Sequence, residues 1–207
     1  NIVANYYKPG PATEPGAVSH CIADPWTRNG AADYGKWYVA DNVVEGNEWV
    51  SANNWLGGVQ PKDGSEFIAG FKLDQPWPAM PINQQTAEEA YASVLENAGA
   101  TIPKRDPLDA RIADEVRNGY ATYEGMSYEQ KWTVADTSKK CGIIDNQADV
   151  GGWPELKSET APKDTDHDGM PDEWETKQGL DPNDATDRNK VAVNGYTMLE
   201  EYINSID

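Results

Sequence analysis

Residues 164–175 read Asp-Thr-Asp-His-Asp-Gly-Met-Pro-Asp-Glu-Trp-Glu, which is the D-x-D-x-D-G spacing of a calcium loop closed by a glutamate at position 12. A stretch of this kind can fold in few ways, because five carboxylates drawn together without a cation repel one another. Asp164, Asp166 and Asp168 supply hard oxygen ligands at positions 1, 3 and 5, and Gly169 permits the sharp turn. The Met170 carbonyl points inward at position 7, Asp172 acts directly or through water, and Glu175 closes the site with both oxygens. Ca2+ is therefore the expected cofactor.

The flanks suggest what the ion is for. Residues 155–163 have too short an apolar pattern for an entering helix, and Pro162 discourages one. A second, degenerate half-site follows, with Asn194 and Gly195 at positions 5 and 6 and Glu201 at position 12, but its first and third positions are Lys190 and Ala192. Such a pair is similar to the bacterial half-hand repeats that resemble thrombospondin type 3 repeats, which implies a structural staple rather than a sensor.

The net charge of −18 is uneven: residues 145–207 carry 16 acidic and 5 basic side chains, residues 1–144 carry 19 and 12. This surface argues against nucleic acid or an anionic membrane as a partner, since both need a basic footprint. No apolar run is long enough to span a bilayer. Eight Trp and ten Tyr against two Phe favour rings with a polar handle, suited to sugar stacking and equally to the edges of an irregular core. Cys21 and Cys141 form a candidate disulfide; it would close a loop of about 120 residues and contribute on the order of 4–5 kcal/mol in the chain-entropy view. A calcium-rich, oxidising exterior suits both features, so an extracytoplasmic location is expected.

Three regions are expected. Residues 1–83 read as short β segments with Gly- and Pro-rich loops, namely Asn1–Tyr7, Lys36–Asn47 and Glu48–Ala52, and then a Pro-rich connection over 61–83. The spacing of Val3 to Asn5 and Val39 to Asn42 suits stacked coils in which an Asn bonds its counterpart above. Residues 84–154 hold two helices. The first starts at a Thr86–Glu89 capping box and stops at Gly99; the second starts at Asp106-Pro107 and stops at Gly119. A short apolar strand at Gly142–Ile144 returns toward the calcium module, residues 155–207.

Five blocks carry a family likeness in order: Asn5–Thr13, Gly35–Asn42, Thr86–Tyr91, Pro103–Asp106 and Ala148–Pro154. Together with the acidic tail they resemble the bacterial pectate lyases of polysaccharide lyase family 1, in the form common among Bacteroidetes. The resemblance implies a mainly β fold: the last coils of a right-handed parallel β-helix, covered by short helices and followed by the calcium half-hand module. It also implies cleavage of polygalacturonate by β-elimination. There, a base removes the C5 proton beside the uronate carboxylate while calcium spreads the developing charge.

The family's catalytic arginine and cleft aspartates have no matching positions in this chain, so the resemblance places them in an N-terminal portion of the same protein. Arg105 and Arg111, at a helix start and on a helix face, read as surface ion-pairing groups, and His20 and His167 as loop residues. Cys21 stands where the family's loop carries a basic residue. Tyr6, Tyr7 and Lys8 are the substrate-side candidates, a basic group beside rings that suits a pectic polysaccharide. The alternative expectation is a calcium-stabilised carbohydrate-binding or scaffold module without chemistry.

Overall fold

Single residues in the left-handed region cut the first strands short. Ala4, at φ 53°, ends β1 (Ile2–Val3) before β2 (Tyr6–Tyr7), and Asp41, at φ 59°, separates β3 (Val39–Ala40) from β4 (Val43–Val44). Each strand turns out of its ladder after two residues. β1 pairs parallel with β3 and β2 with β4, in one common register: Ile2 faces Val39 and Tyr6 faces Val43. The computed structural model describes residues 1–102, 104–126 and 139–206; Pro103, in one of the family blocks, lies outside them. Its contacts form two units, Asn1–Gly99 with Pro107–Trp153, and Ala100–Asp106 with Pro154–Asp207.

The expectation of a mainly β chain is overturned. The described residues hold four two-residue strands in two small sheets, while helix is the larger regular component. Two further corrections follow. Glu48–Ala52, read as a strand, is the helix α1, because a single turn buries Val50 completely and lets the Ser51 amide donate to the Asn47 carbonyl at 3.0 Å. Gly142–Ile144 carries no strand, although the Gly125 amide donates to the Ile143 carbonyl in a ladder-like bond.

What the parallel pairing does supply is an amide column that runs from exposed Asn5 to buried Asn42 and Asn54. The Asn5 side chain donates to Asn42 Oδ1 at 2.8 Å, and the Asn42 side chain donates to Asn54 Oδ1 at 3.0 Å. Asn42 is fully buried and also donates to the Ile2 and Ala40 carbonyls. Beside this column Ile22, Tyr34, Val39, Val44, Val50, Val59 and Phe71 form the core of the first unit. Phe71, fully buried, ends α2 (Ile68–Phe71), a helix inside the Pro-rich connection over 61–83. Trp55 uses its polar handle inward, donating from Nε1 to the Val39 carbonyl at 2.9 Å.

Local rules hold well for the next two helices. α3 (Ala87–Asn97) opens with the Thr86–Glu89 capping box, both reciprocal bonds present, and Gly99 follows at φ 87°. α4 (Pro107–Asn118) opens on proline and is followed by Gly119 at φ 71°. Val94 and Leu95 of α3, with Ala98 just after it, meet Ile112, Ala113 and Val116 of α4 across a small apolar cleft. Among the described residues no helix is long and apolar enough to cross a membrane.

In the second unit, residues 154–163 hold neither helix nor strand, as Pro162 leads one to expect. α5 (Asp172–Gln178) follows the acidic loop and ends on Gly179 in the left-handed region. A 3-10 turn, Asp187–Asn189, leads to the isolated antiparallel bridge between Val191 and Thr197. α6 (Met198–Asn204) then starts with a Thr197–Glu200 capping box, and Trp174 of α5 meets Tyr202 of α6 edge to face at 5.4 Å.

Candidate metal centre

The acidic loop curls because its own carboxylates take backbone amides. Asp164 accepts from the His167 amide through Oδ1 (2.8 Å) and from the Gly169 amide through Oδ2 (3.0 Å); Asp168 Oδ1 accepts from the Met170 amide (2.8 Å). His167 and Gly169 both take positive φ, 61° and 100°, which tightens the curl. These bonds leave Asp166 Oδ2 and Asp168 Oδ2 buried without a protein partner.

Two other carboxylates meet them. Glu175, in the first turn of α5, is fully buried with neither oxygen hydrogen-bonded, and Asp187 Oδ1 is likewise buried and unpartnered. Ligand oxygens of Asp164, Asp166 and Asp168 lie within 4.8 Å of one another, as do those of Asp168, Glu175 and Asp187. Burial, and then the charges of Asp166, Asp168 and Asp187, push the Glu175 carboxyl up to about 7. Burial and the neighbouring Asp168 raise Asp166 as well. An isolated buried carboxylate oxygen is expensive, and several facing one point are relieved either by taking up protons or by binding a cation. The donors are all hard oxygens, and so many charged ones suit Ca2+ better than Mg2+, which keeps most of its water.

The structure brings Asp164, Asp166, Asp168 and Glu175 together and turns Asp172 elsewhere. Asp172 accepts from the Thr165 amide, the Thr165 hydroxyl and the Lys163 ammonium, each at 2.7 Å, and these bonds, Lys163 first, hold its carboxyl down at about 2. It latches the entry to the loop. Asp187 stands in the cluster instead, and sequence spacing missed it because it lies twelve residues beyond Glu175. The available clue was Gly179, a helix stop that lets the chain double back. Met170 is fully buried.

The second half-site is already closed from within. Asn194 donates from Nδ2 to Glu201 Oε1 at 2.6 Å, and Lys190, at its first position, pairs with Asp187 at 3.4 Å.

The substrate-side candidates are engaged internally. Tyr6 stacks on Tyr91 at 4.5 Å and donates to Glu45 Oε2 at 2.9 Å, and Tyr7 packs against the core. Lys8 pairs with Glu45 at 3.2 Å and donates to the Arg117 carbonyl at the end of α4. Burial works against the Lys8 charge, but the Glu45 carboxylate prevails and its pKa rises. Arg111 holds both oxygens of Glu115 at 2.9 Å, one turn along α4. His20 packs edge-on to Trp49, and Cys21 and Cys141 are free thiols.

Comparison with known proteins adds a family context. The whole chain is 31% identical over 207 residues to a protein of Aspergillus fumigatus, and 32% identical over 209 residues to one of Neosartorya fischeri. A protein of Emericella nidulans is 32% identical over 203 residues, 98% of this chain. All three are named "Probable pectate lyase C". The chain is their relative along its length and spans 41% of each of them. They are fungal proteins, and they give no support to the bacterial form that the resemblance of the sequence blocks implied. No protein-family model matches the chain.

Proposed function

We propose that this chain is a calcium-stapled, non-catalytic part of a pectate lyase whose reacting residues lie in the rest of the protein. Similarity to pectate lyase C proteins over the whole chain carries this reading. The parent enzyme would act on polygalacturonate. A base takes the C5 proton, the C4–O bond breaks, a C4–C5 double bond forms in one product, and the leaving oxygen is protonated.

In this reading the chain's own residues do two things. Asp164, Asp166, Asp168 and Glu175 hold Ca2+, with the Met170 carbonyl as a further donor, and the ion relieves the repulsion among them and fixes the tail. Tyr6, Lys8 and Glu45 tie β2 to α3 and α4. A tail of the thrombospondin type 3-like kind and an extracytoplasmic site belong to the same reading, since millimolar calcium keeps such a site filled.

The internal engagement of Tyr6 and Lys8 favours this over a free-standing sugar-binding module. The test compares the 207-residue chain with its parent polypeptide on polygalacturonate in calcium. The parent should release unsaturated uronides, read by ultraviolet absorbance, and the 207 residues alone should release none. A calcium-replete parent inert on every pectic polymer would end the lyase reading. Saturable binding of oligogalacturonate by the chain alone would favour the binding module.

A further inference from the structure

Asp187 lies outside the twelve-residue loop, yet its carboxylate is one of the three that converge at the buried end of the cluster. It is 1% exposed. Its two oxygens differ in use. Oδ2 accepts from the Asp181 amide at 2.9 Å and faces the Lys190 ammonium at 3.4 Å, so one side of the group is oriented and partly neutralised by its own turn. Oδ1 is buried without a protein partner, and one oxygen of the group lies within 4.8 Å of ligand oxygens of Asp168 and Glu175. Asp172, which the loop spacing nominates for that side, is held away by Lys163 and Thr165.

We propose that Asp187 is a ligand of the same ion, taking the place that loop spacing assigns to Asp172, so that ion binding fastens the 181–190 turn to the 164–175 loop. This rests on the calcium reading of the loop. The ion is then a cross-link between segments joined only through α5 and Gly179. Lys190 is a positioning residue: it holds one oxygen of Asp187 outward and leaves the other for the metal.

Calcium titration calorimetry on chelator-treated chain tests this, with Asp187→Asn, Glu175→Gln and, as control, Asp184→Asn, whose exposed carboxylate accepts from the Thr186 amide and hydroxyl. The unaltered chain should bind one Ca2+, Asp187→Asn should lose roughly tenfold or more in affinity, and Asp184→Asn should match the unaltered chain. Terbium luminescence lifetimes in light and heavy water, at saturating ion, guard against a folding defect. Asp187→Asn should hold about one more metal-bound water than the unaltered chain. If the unaltered chain binds no calcium, the calcium reading falls and this proposal with it. If it binds, Glu175→Gln weakens binding, and Asp187→Asn leaves both affinity and water count unchanged, the calcium reading stands and the role of Asp187 is overturned. Two independent ions, of which Asp187→Asn removes only one, would also overturn the single shared site.

Discussion

Asn5 and Asn42, 37 residues apart, are joined twice: the Asn42 side-chain oxygen accepts from the Asn5 backbone amide at 2.9 Å and from its side-chain amide at 2.8 Å. Asn42 is itself held by Asn54, so all three amides are coupled. Asn42→Ala should destabilise the first unit by about 2–3 kcal/mol, because it leaves buried carbonyls and amides without partners. Urea denaturation measures it. A loss below half a kilocalorie would mean that water replaces the side chain easily.

Calcium should raise the melting temperature of the chain, and a chelator should lower it again. At a hundredfold excess of calcium over its dissociation constant the gain is about 2.7 kcal/mol. Glu175→Ala should melt at the same temperature with calcium or chelator. Scanning calorimetry reads both, and an unaltered chain indifferent to chelation contradicts the staple.

Gly169→Ala separates conformation from space. A Cβ there would lie 3.4 Å from Leu199 Cδ1, ordinary contact, so the cost comes from φ near 100°. About 1–2 kcal/mol of stability should be lost. Calcium affinity should fall with it.

Glu115 gives a pH signature. Burial works to raise its pKa, but bonds from Thr122 and then Arg111 overcome this, and the folded carboxyl titrates below its ordinary value. The stabilisation is full above the unfolded pKa of about 4.3 and fades as pH falls through the folded value. Glu115→Gln should therefore flatten the acid limb of the stability curve. Melting curves between neutral and strongly acid pH check it.

Lys8→Ala should act on stability rather than on substrate. Its pair with a half-exposed Glu45 contributes about 1 kcal/mol or less. The Michaelis constant of the parent enzyme should stay unchanged, and a large rise would return Lys8 to the substrate site.

Features that depend on adjacent residues were legible in the sequence. The Thr86–Glu89 box satisfies helix-start amides through side chains, Pro107 lacks the N–H that a first helical position leaves unpaired, and the glycine stops take a positive φ, so spacing alone reveals them. The same holds for Asp164, Asp166, Asp168 and Glu175. What spacing could not show is decided by distant partners. α1 is a helix because Val50 enters the core, and the strands stop early because Ala4 and Asp41 leave the β region. Asp172 shows the limit sharply, since a carboxylate at that position serves a metal or a backbone amide equally well, and here it accepts from the Thr165 amide and the Lys163 ammonium.

Asn194 and Glu201 have consequences for how the tail reads its surroundings. In the calcium reading proposed above, with the second loop closed by its own amide, the described residues offer the ion no cooperating twin, and its occupancy would follow simple saturation. Such a tail would not throw a threshold switch. It would suit a fluid where the mineral is always plentiful, and a protein carried into a compartment poor in it would loosen gradually rather than at a set concentration.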